Sequence, residues 1–506
     1  MTGLFKVKNN TRVQLENFST TTVKKFSNIL TFIKPYNPFG STFTIKKWLT
    51  DTGTFPIGFL QDLVLYCDSV GIEYSIEGLP EYYSFPVEVV KDVLNRPVFV
   101  EGEKSIALWD HQKKGILHLL KNKGGVLSLA TGAGKTIMTS TFLDLYFSHH
   151  PSPGRVLFIV DSISLLGQAY DVFTTSLPDV KTTKFFGDEK NTTGQIVVAV
   201  IDSLVKHRKA LTAFFKDVDV LIYDEVHNSG NSSTYEICKR IPAKYRIGLS
   251  GTPFDSKNEY RNSYIKGNFG DTVYSVTAKE LVNLGILMQP KLFVLPRVTP
   301  NIPKLRMRTG NKRMSKLDMF VRQNDDRNEI IASLCKYFSD HKLKTLVVAN
   351  TVTQIDYICN VLERKEINYY KMIGATRAKQ RKQFIENFKN DEDQNLLIGT
   401  VLNEGLDIPV SSCIIIADGG KVEKNAIQRL GRILRKKEGK TLALLIEFSD
   451  IYFKKRRKFY EEEGWKINSF IKEPITAAMT KINETILKEK QNVDKTSGTS
   501  VSDNQI

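Results

Sequence analysis

The chain has 506 residues, of which 41% are hydrophobic and 25% charged, and its 72 Lys plus Arg outnumber 55 Asp plus Glu for a formal net charge of +17. That length exceeds what one hydrophobic core can fill, so two to four domains are expected, and the basic balance favours a polyanionic partner, nucleic acid foremost, although excess charge also serves solubility. Five scattered cysteines without a CxxC pair or a histidine cluster argue against zinc and for unpaired thiols in a reducing compartment; with no apolar run of signal-peptide or membrane-spanning length, a soluble, cytoplasmic, monomeric protein is expected.

Residues 1–100 are rich in Phe, Tyr and Pro, with alternating runs such as Phe5-Lys6-Val7-Lys8 and one predicted helix, Ile57–Ser69, and read as a small α+β appendage. Lys34-Pro35-Tyr36 and Lys46-Lys47-Trp48 set cations beside aromatics, which suits stacking on nucleic acid and suits a core equally well. Over residues 101–295 the pattern changes to short apolar runs alternating with helical segments: Val126–Leu129, Arg155–Val160, Ile196–Ile201, Val218–Tyr223 and Tyr245–Leu249. Buried parallel strands read in this way.

The first of these runs leads into Leu129-Ala130-Thr131-Gly132-Ala133-Gly134-Lys135-Thr136 and then into a helical segment. Small residues between a strand and a helix let backbone N–H groups close around phosphates, and the helix N-terminus adds positive potential. Thr131, Gly132, Ala133 and Gly134 would form that cradle, Lys135 would reach the β and γ phosphates of a nucleoside triphosphate, and Thr136 would hold Mg²⁺. The first glycine usual in such loops, five positions before Gly134, is Leu129 here. Further on, Val220-Leu221-Ile222-Tyr223 ends in Asp224-Glu225-Val226-His227, two carboxylates at the C-terminal end of a strand, where α/β sheets bind ligands. Asp224 could bind Mg²⁺ and Glu225 could orient and deprotonate a water in line with the γ phosphate; taken alone, such a pair is also an ordinary solvated turn. Leu249-Ser250-Gly251-Thr252-Pro253 sets two hydroxyls on a tight turn, which ordinary turn chemistry explains as well as function does.

A basic, poorly periodic connection follows the first domain, and residues 296–450 repeat the alternation, with strands predicted at Lys344–Ala349, Asn395–Gly399, Cys413–Ala417 and Leu442–Glu447. Two parallel-sheet α/β domains in tandem are therefore predicted. In Gln428-Arg429-Leu430-Gly431-Arg432-Ile433-Leu434-Arg435 the arginines at 429, 432 and 435 recur every three residues and would line one face of a helix, as either a phosphate-binding or a salt-bridged surface. Residues 451–491, with the run Lys454-Lys455-Arg456-Arg457-Lys458, read as a basic helical extension, and 492–506 as a disordered tail.

The loop ATGAGKT, DEVH, LSGTP and QRLGRILR stand in the order and spacing of superfamily 2 helicases, and the resemblance covers about residues 105–450. It implies two RecA-like domains with ATP and Mg²⁺ between them, Arg432 and Arg435 as arginine fingers, and Gln428 positioning the water. Leu108-Trp109-Asp110-His111-Gln112 resembles the adenine-reading element, which makes Gln112 the candidate base contact, with a surface glutamine as the alternative. Ser162, Ser203, Asn350 and Thr351 fall where the family places its strand-tracking loops. Thr400 and Gly405-Leu406-Asp407-Ile408-Pro409 match its fifth motif, which implies backbone contact by Thr400 and nucleotide contact by Gly405 and Asp407. Val226 and His227 depart from the DEAD-box and DEAH-box subgroups, which speaks against RNA remodelling. Thr52 to Leu60 and Val64 to Gly71 resemble the appended domain of phage UvsW-type helicases, which implies action on branched DNA, including forks, Holliday junctions and R-loops whose RNA strand is then also a partner. The translocating motor of a restriction system and a non-catalytic binding factor with a regulatory ATP site remain the alternatives.

Overall fold

A computed structural model of the chain describes residues 2–34, 44–99, 105–300, 318–391, 394–400, 402, 408, 410–418, 434–436, 440, 442–450, 453–462 and 464–498. The chain divides into two compact units, Met1–Val276 and Thr277–Ile506.

The first unit is built on an eight-stranded sheet in the order Glu189–Lys190, Thr182–Phe186, Ile196–Val200, Arg155–Val160, Val218–Asp224, Tyr245–Ser250, Gly124–Leu129 and Thr272–Val276, parallel except for the first pair. Both faces are covered. Leu157, Ile159, Leu221 and Tyr223 enter one core with Ile237, Ile241 and Ile265, while Phe158 meets Phe173 on the opposite face at 5.0 Å. Strands buried on two sides favour apolar residues at nearly every position, and for this reason the central runs stand out in the sequence.

The appendage forms its own four-stranded sheet, Thr54–Pro56, Arg12–Glu16, Gly3–Lys8 and Tyr74–Glu77, and the expected alternating strand and the helix, Leu60–Val70, are both present. Its aromatic core of Phe5, Phe26, Trp48, Phe55 and Phe59 continues without a break into Tyr235 and Tyr264 of the motor portion. Trp48, for which stacking on nucleic acid and a core place were both open, is 4% exposed and lies against Tyr235 and Tyr264 at 4.7 and 5.1 Å. It is core, and the Lys46 ammonium rests 4.4 Å above its ring. Lys34-Pro35-Tyr36 falls largely outside the described residues.

The second unit holds seven strands among the described residues, all parallel: Tyr370–Met372, Leu396–Gly399, Thr345–Val348, Cys413–Ile416, Leu444–Phe448, Lys291–Leu295 and Ile467–Ser469. Two expected boundaries are corrected here. Lys291–Leu295, assigned from sequence to the end of the first domain, pairs with Leu444–Phe448 and so belongs to the second sheet. The segment expected as a basic extension completes the same domain: Ile467–Ser469 adds the edge strand, and Ala478, Ile482 and Ile486 of the helix Ile475–Gly498 enter the core. That helix carries the chain past 492, where a disordered tail was expected, and 499–506 lie outside the described residues. In the run 454–458, Arg456 is buried and binds the carboxylates of Glu447 and Asp450 rather than facing solvent. All five cysteines are buried and unpaired, and among the described residues no helix is long and apolar enough to cross a membrane.

Candidate functional site

The strand Gly124–Leu129 delivers the chain to the loop 130–134, and the helix Lys135–His149 leaves from it. Leu129 is the strand's last residue, fully buried and in register with Val276. An extended core position takes leucine readily, so glycine is not required there. Glycine is required at Gly132 and Gly134, whose φ values are +92° and +84°. A Cβ at Gly134 would also come within 2.1 Å of Gln112 Nε2.

Gln112 is the buried third residue of the helix Asp110–Asn122. Its Oε1 accepts the N–H of Trp109 at 2.9 Å, and its Nε2 donates to the carbonyl of Ala133 at 3.0 Å. His111 Nε2 lies 2.9 Å from the same carbonyl, which fixes the Nε2–H tautomer because a carbonyl only accepts. The amide expected to contact a base is thus engaged by Trp109 on one side and by Ala133 of the loop on the other. The group left facing solvent beside it is the indole of Trp109, 45% exposed and stacked on His111 at 5.6 Å.

The acid pair sits at the end of Val218–Asp224, two strands away from the loop strand across Tyr245–Ser250. Lys135 Nζ donates to Glu225 Oε1 at 2.7 Å and lies 4.0 Å from Asp224 Oδ1, so the three charges expected from sequence do converge. Glu225 sits in the left-handed region at φ +53°, ψ +49°, a strained conformation of the kind that surrounding structure must enforce. Asp224 Oδ1 accepts the Glu225 N–H at 3.0 Å. On the other side of Glu225, Oε2 lies 3.3 Å from His227 Nδ1 and accepts from Ser250 Oγ at 3.5 Å, while His227 Nδ1 and Ser250 Oγ are 2.9 Å apart.

These surroundings push the two carboxyls in opposite directions. Burial raises Asp224 to about 6, with Lys135 opposing and Glu225 adding to the rise. Burial would raise Glu225 as well, but Lys135 and His227 outweigh it and hold the group at about 2. Lys135 and His227 thus favour the ionised form of Glu225, and Asp224 is a carboxylate that gains from a neighbouring cation. The hydroxyl of Thr136 and the carboxylate of Asp224 are hard oxygen donors of the type Mg²⁺ takes. Among the described residues no group of three or more His, Cys, Asp or Glu could by itself hold a metal ion.

His227 and Ser250 went unassigned from sequence, as did Arg261, which donates to the His227 carbonyl at 2.5 Å and pins the turn Val226–Ser229. Of the nucleic-acid candidates, Ser162 and Ser203 lie just past the C-terminal ends of two adjacent strands, Arg155–Val160 and Ile196–Val200. Ser162 caps the helix Ile163–Ser176 by accepting from Leu165 N–H. In the second unit Asn350 and Thr351 follow Thr345–Val348, and Thr400 follows the neighbouring Leu396–Gly399. Thr351 is the N-cap of the helix Val352–Arg364, and its buried hydroxyl has no hydrogen-bond partner among the described residues. Arg435 departs from its expected place on an arginine-lined helix: its backbone forms an antiparallel bridge with Leu287. Gly405, Asp407, Gln428, Arg429 and Arg432 lie outside the described residues.

Residues 105–255 match the family described as type III restriction enzyme, res subunit, and residues 328–437 match the helicase conserved C-terminal domain. Together they make up just over half of the chain. Among curated proteins the chain is 26% identical over 396 residues to the DNA 3′-5′ translocase XPB2 of Sulfurisphaera tokodaii, covering 71% of this chain and 85% of the relative. It is 23% identical over 411 residues to the ATP-dependent DNA helicase uvsW of Enterobacteria phage T4, covering 78% and 79%. Among solved structures, S. cerevisiae Dbp5 bound to RNA and ADP BeF3 superimposes with a TM-score of 0.57 at 14% identity over 80% of this chain and 98% of that one.

Proposed function

From the premise that this chain belongs to the superfamily 2 helicases, with both motor domains in place, we propose that it is an ATP-driven DNA translocase acting on branched DNA. The observation that carries the reading is the Lys135–Glu225 pair with Asp224 beside it at the mouth of the phosphate loop. An incoming triphosphate competes for Lys135, whose ammonium then neutralises the phosphates instead of Glu225. The released carboxylate, fixed by its backbone and by His227, orients the attacking water as general base. Thr136 and Asp224 would hold Mg²⁺, which supplies charge neutralisation on the β and γ oxygens. The exposed face of Trp109 offers the adenine a stacking surface, so Trp109→Ala should raise KM for ATP with little change in kcat.

In this reading Gly405 and Asp407 border the nucleotide, Gln428 helps place the water, and Arg432 and Arg435 supply the charge that stabilises the transferring phosphoryl group. Ser162, Ser203, Asn350, Thr351 and Thr400 grip the DNA backbone, and cycles of hydrolysis alternate the grip of the two motor domains. The relatives' printed activities on DNA support a DNA track, and the branched one rests on the resemblance of Thr52 to Leu60 and Val64 to Gly71 to the appended domain of UvsW-type helicases.

The test is ATP turnover and strand displacement on matched fork, Holliday-junction, R-loop and linear duplex substrates. Stimulation by branched DNA above linear duplex is expected; equal stimulation removes the branched-DNA part, and no stimulation by any of them removes the translocase. The first matched family also carries the name of a restriction subunit, so plasmid integrity after incubation with ATP and Mg²⁺ is the companion measurement. The plasmid should stay intact.

A further inference from the structure

Asp161 has no role in the chemistry described above, yet it joins the two halves of the first sheet's functional edge. It follows the strand Arg155–Val160 and immediately precedes Ser162, the cap of the helix Ile163–Ser176. Its Oδ1 accepts from Tyr223 Oη at 2.8 Å and its Oδ2 from Asn228 Nδ2 at 2.7 Å. Those donors bracket the catalytic acids. Tyr223 is fully buried and directly precedes Asp224, while Asn228 lies in the turn Val226–Ser229, where its own N–H donates to the Glu225 carbonyl at 2.8 Å.

We propose that Asp161 is the positioning residue through which a nucleic-acid backbone held at Ser162 sets the orientation of Glu225. The inference rests on the reading that the Ser162 loop grips nucleic acid. Glu225 adopts a left-handed backbone that must be enforced from outside. Two short bonds from one carboxylate, one to each side of it, supply that enforcement. The same carboxylate is one residue from the helix cap, so any backbone adjustment that lets the cap meet a phosphate is delivered to both bonds. A carboxylate suits this place because it accepts on both oxygens at once, and bonds to a charged acceptor are the stronger class. Asparagine at 161 would accept on one side and turn an N–H₂ toward a donor on the other.

Steady-state ATP turnover of the full chain is measured with and without saturating forked DNA, alongside the affinity for that DNA. In Asp161→Asn the ratio of stimulated to basal turnover should fall roughly tenfold with DNA affinity changed by less than about threefold. The exchange Asp161→Asn with Asn228→Asp, which restores a donor facing an acceptor, should recover most of the ratio. A lesion that is merely structural lowers basal and stimulated rates together and leaves the ratio alone. An unchanged ratio in a wild-type enzyme that DNA does stimulate overturns this inference and leaves the translocase reading standing; a wild type that no nucleic acid stimulates overturns both.

Discussion

Two buried charge clusters, one in each unit, differ in ways that separate catalysis from architecture. Lys135, Asp224 and Glu225 keep 15%, 14% and 18% of their side-chain surface open, and the cation lies at the mouth of a loop whose backbone is held at positive φ. Arg456, Glu447 and Asp450 keep only 3%, 1% and 6%. Burial raises the Glu447 carboxyl much as it raises that of Asp224, so a displaced pKa alone does not mark an active site. What distinguishes the first cluster is access, a strained backbone at Glu225 and, in the proposed reading, a cation whose partner a nucleotide replaces. The second is almost fully covered, and its arginine ties the helix Phe453–Glu462 to the strand Leu444–Phe448.

Breaking each cluster should therefore fail in a different way. Glu225→Gln should lower ATP turnover by roughly 10²–10⁴-fold while ATP binding, measured by equilibrium titration, is retained. Turnover within tenfold of wild type would assign the base to another group. Arg456→Met should instead leave two buried carboxylates without their cation and destabilise the second unit by about 3–5 kcal/mol, seen as an early unfolding transition. A normal melting profile for that variant would remove the distinction drawn between the clusters.

The same contrast shows what the sequence could disclose. Arg155–Val160, Val218–Asp224 and Tyr245–Ser250 were legible because both faces of each are largely buried and most positions are apolar, Arg155, Asp219, Asp224, Arg246 and Ser250 being the exceptions. Thr272–Val276, Tyr370–Met372 and Ile467–Ser469 were not, because each is an edge strand with a partly exposed, mixed composition. Lys135, Asp224 and Glu225 were legible because phosphate chemistry restricts residue type at strand ends. Ser250 and His227 stand 23 positions apart and meet only because their strands are neighbours, with Asp224 opposite Leu249. The contacts of Gln112 were not legible for a related reason. Its helix lies behind the phosphate loop, and nothing local announces that its amide is already engaged by Trp109 and Ala133.

Stability against pH sharpens the first cluster further. Asp224 has its pKa raised in the folded protein, to about 6, so the folded form binds a proton more tightly than the unfolded chain. Its ionisation therefore costs stability as pH rises from about 4 through 6. Glu225 is held at about 2, so its contribution is present above the unfolded value near 4.3 and is lost as pH falls through 2. Without nucleotide at pH 7, Asp224→Asn should raise Tm and Glu225→Gln should lower it, each by roughly 2–4 °C per ~1 kcal/mol. Below about pH 4 the gain from Asp224→Asn should vanish. Shifts of the same sign at pH 7 would mean that the two carboxyls share one environment and that the division of labour between them is wrong.

The smallest effect decides the fate of the appendage. Lys46 is half-buried with its ammonium 4.4 Å from the Trp48 ring and 5.6 Å from that of Tyr264, whereas Lys47, next along the strand, is exposed. If Trp48 is core, Lys46→Ala should lower stability by about 0.5–1 kcal/mol, the worth of a cation over an aromatic face, and leave the salt dependence of DNA binding unchanged. Lys47→Ala should do the reverse if the appendage touches phosphates, reducing the salt slope by about one unit without moving Tm. A Lys46→Ala variant that keeps its Tm but binds DNA with a shallower salt slope would return Lys46 and Trp48 to the nucleic-acid surface and undo their assignment to the seam between the appendage and the motor helices.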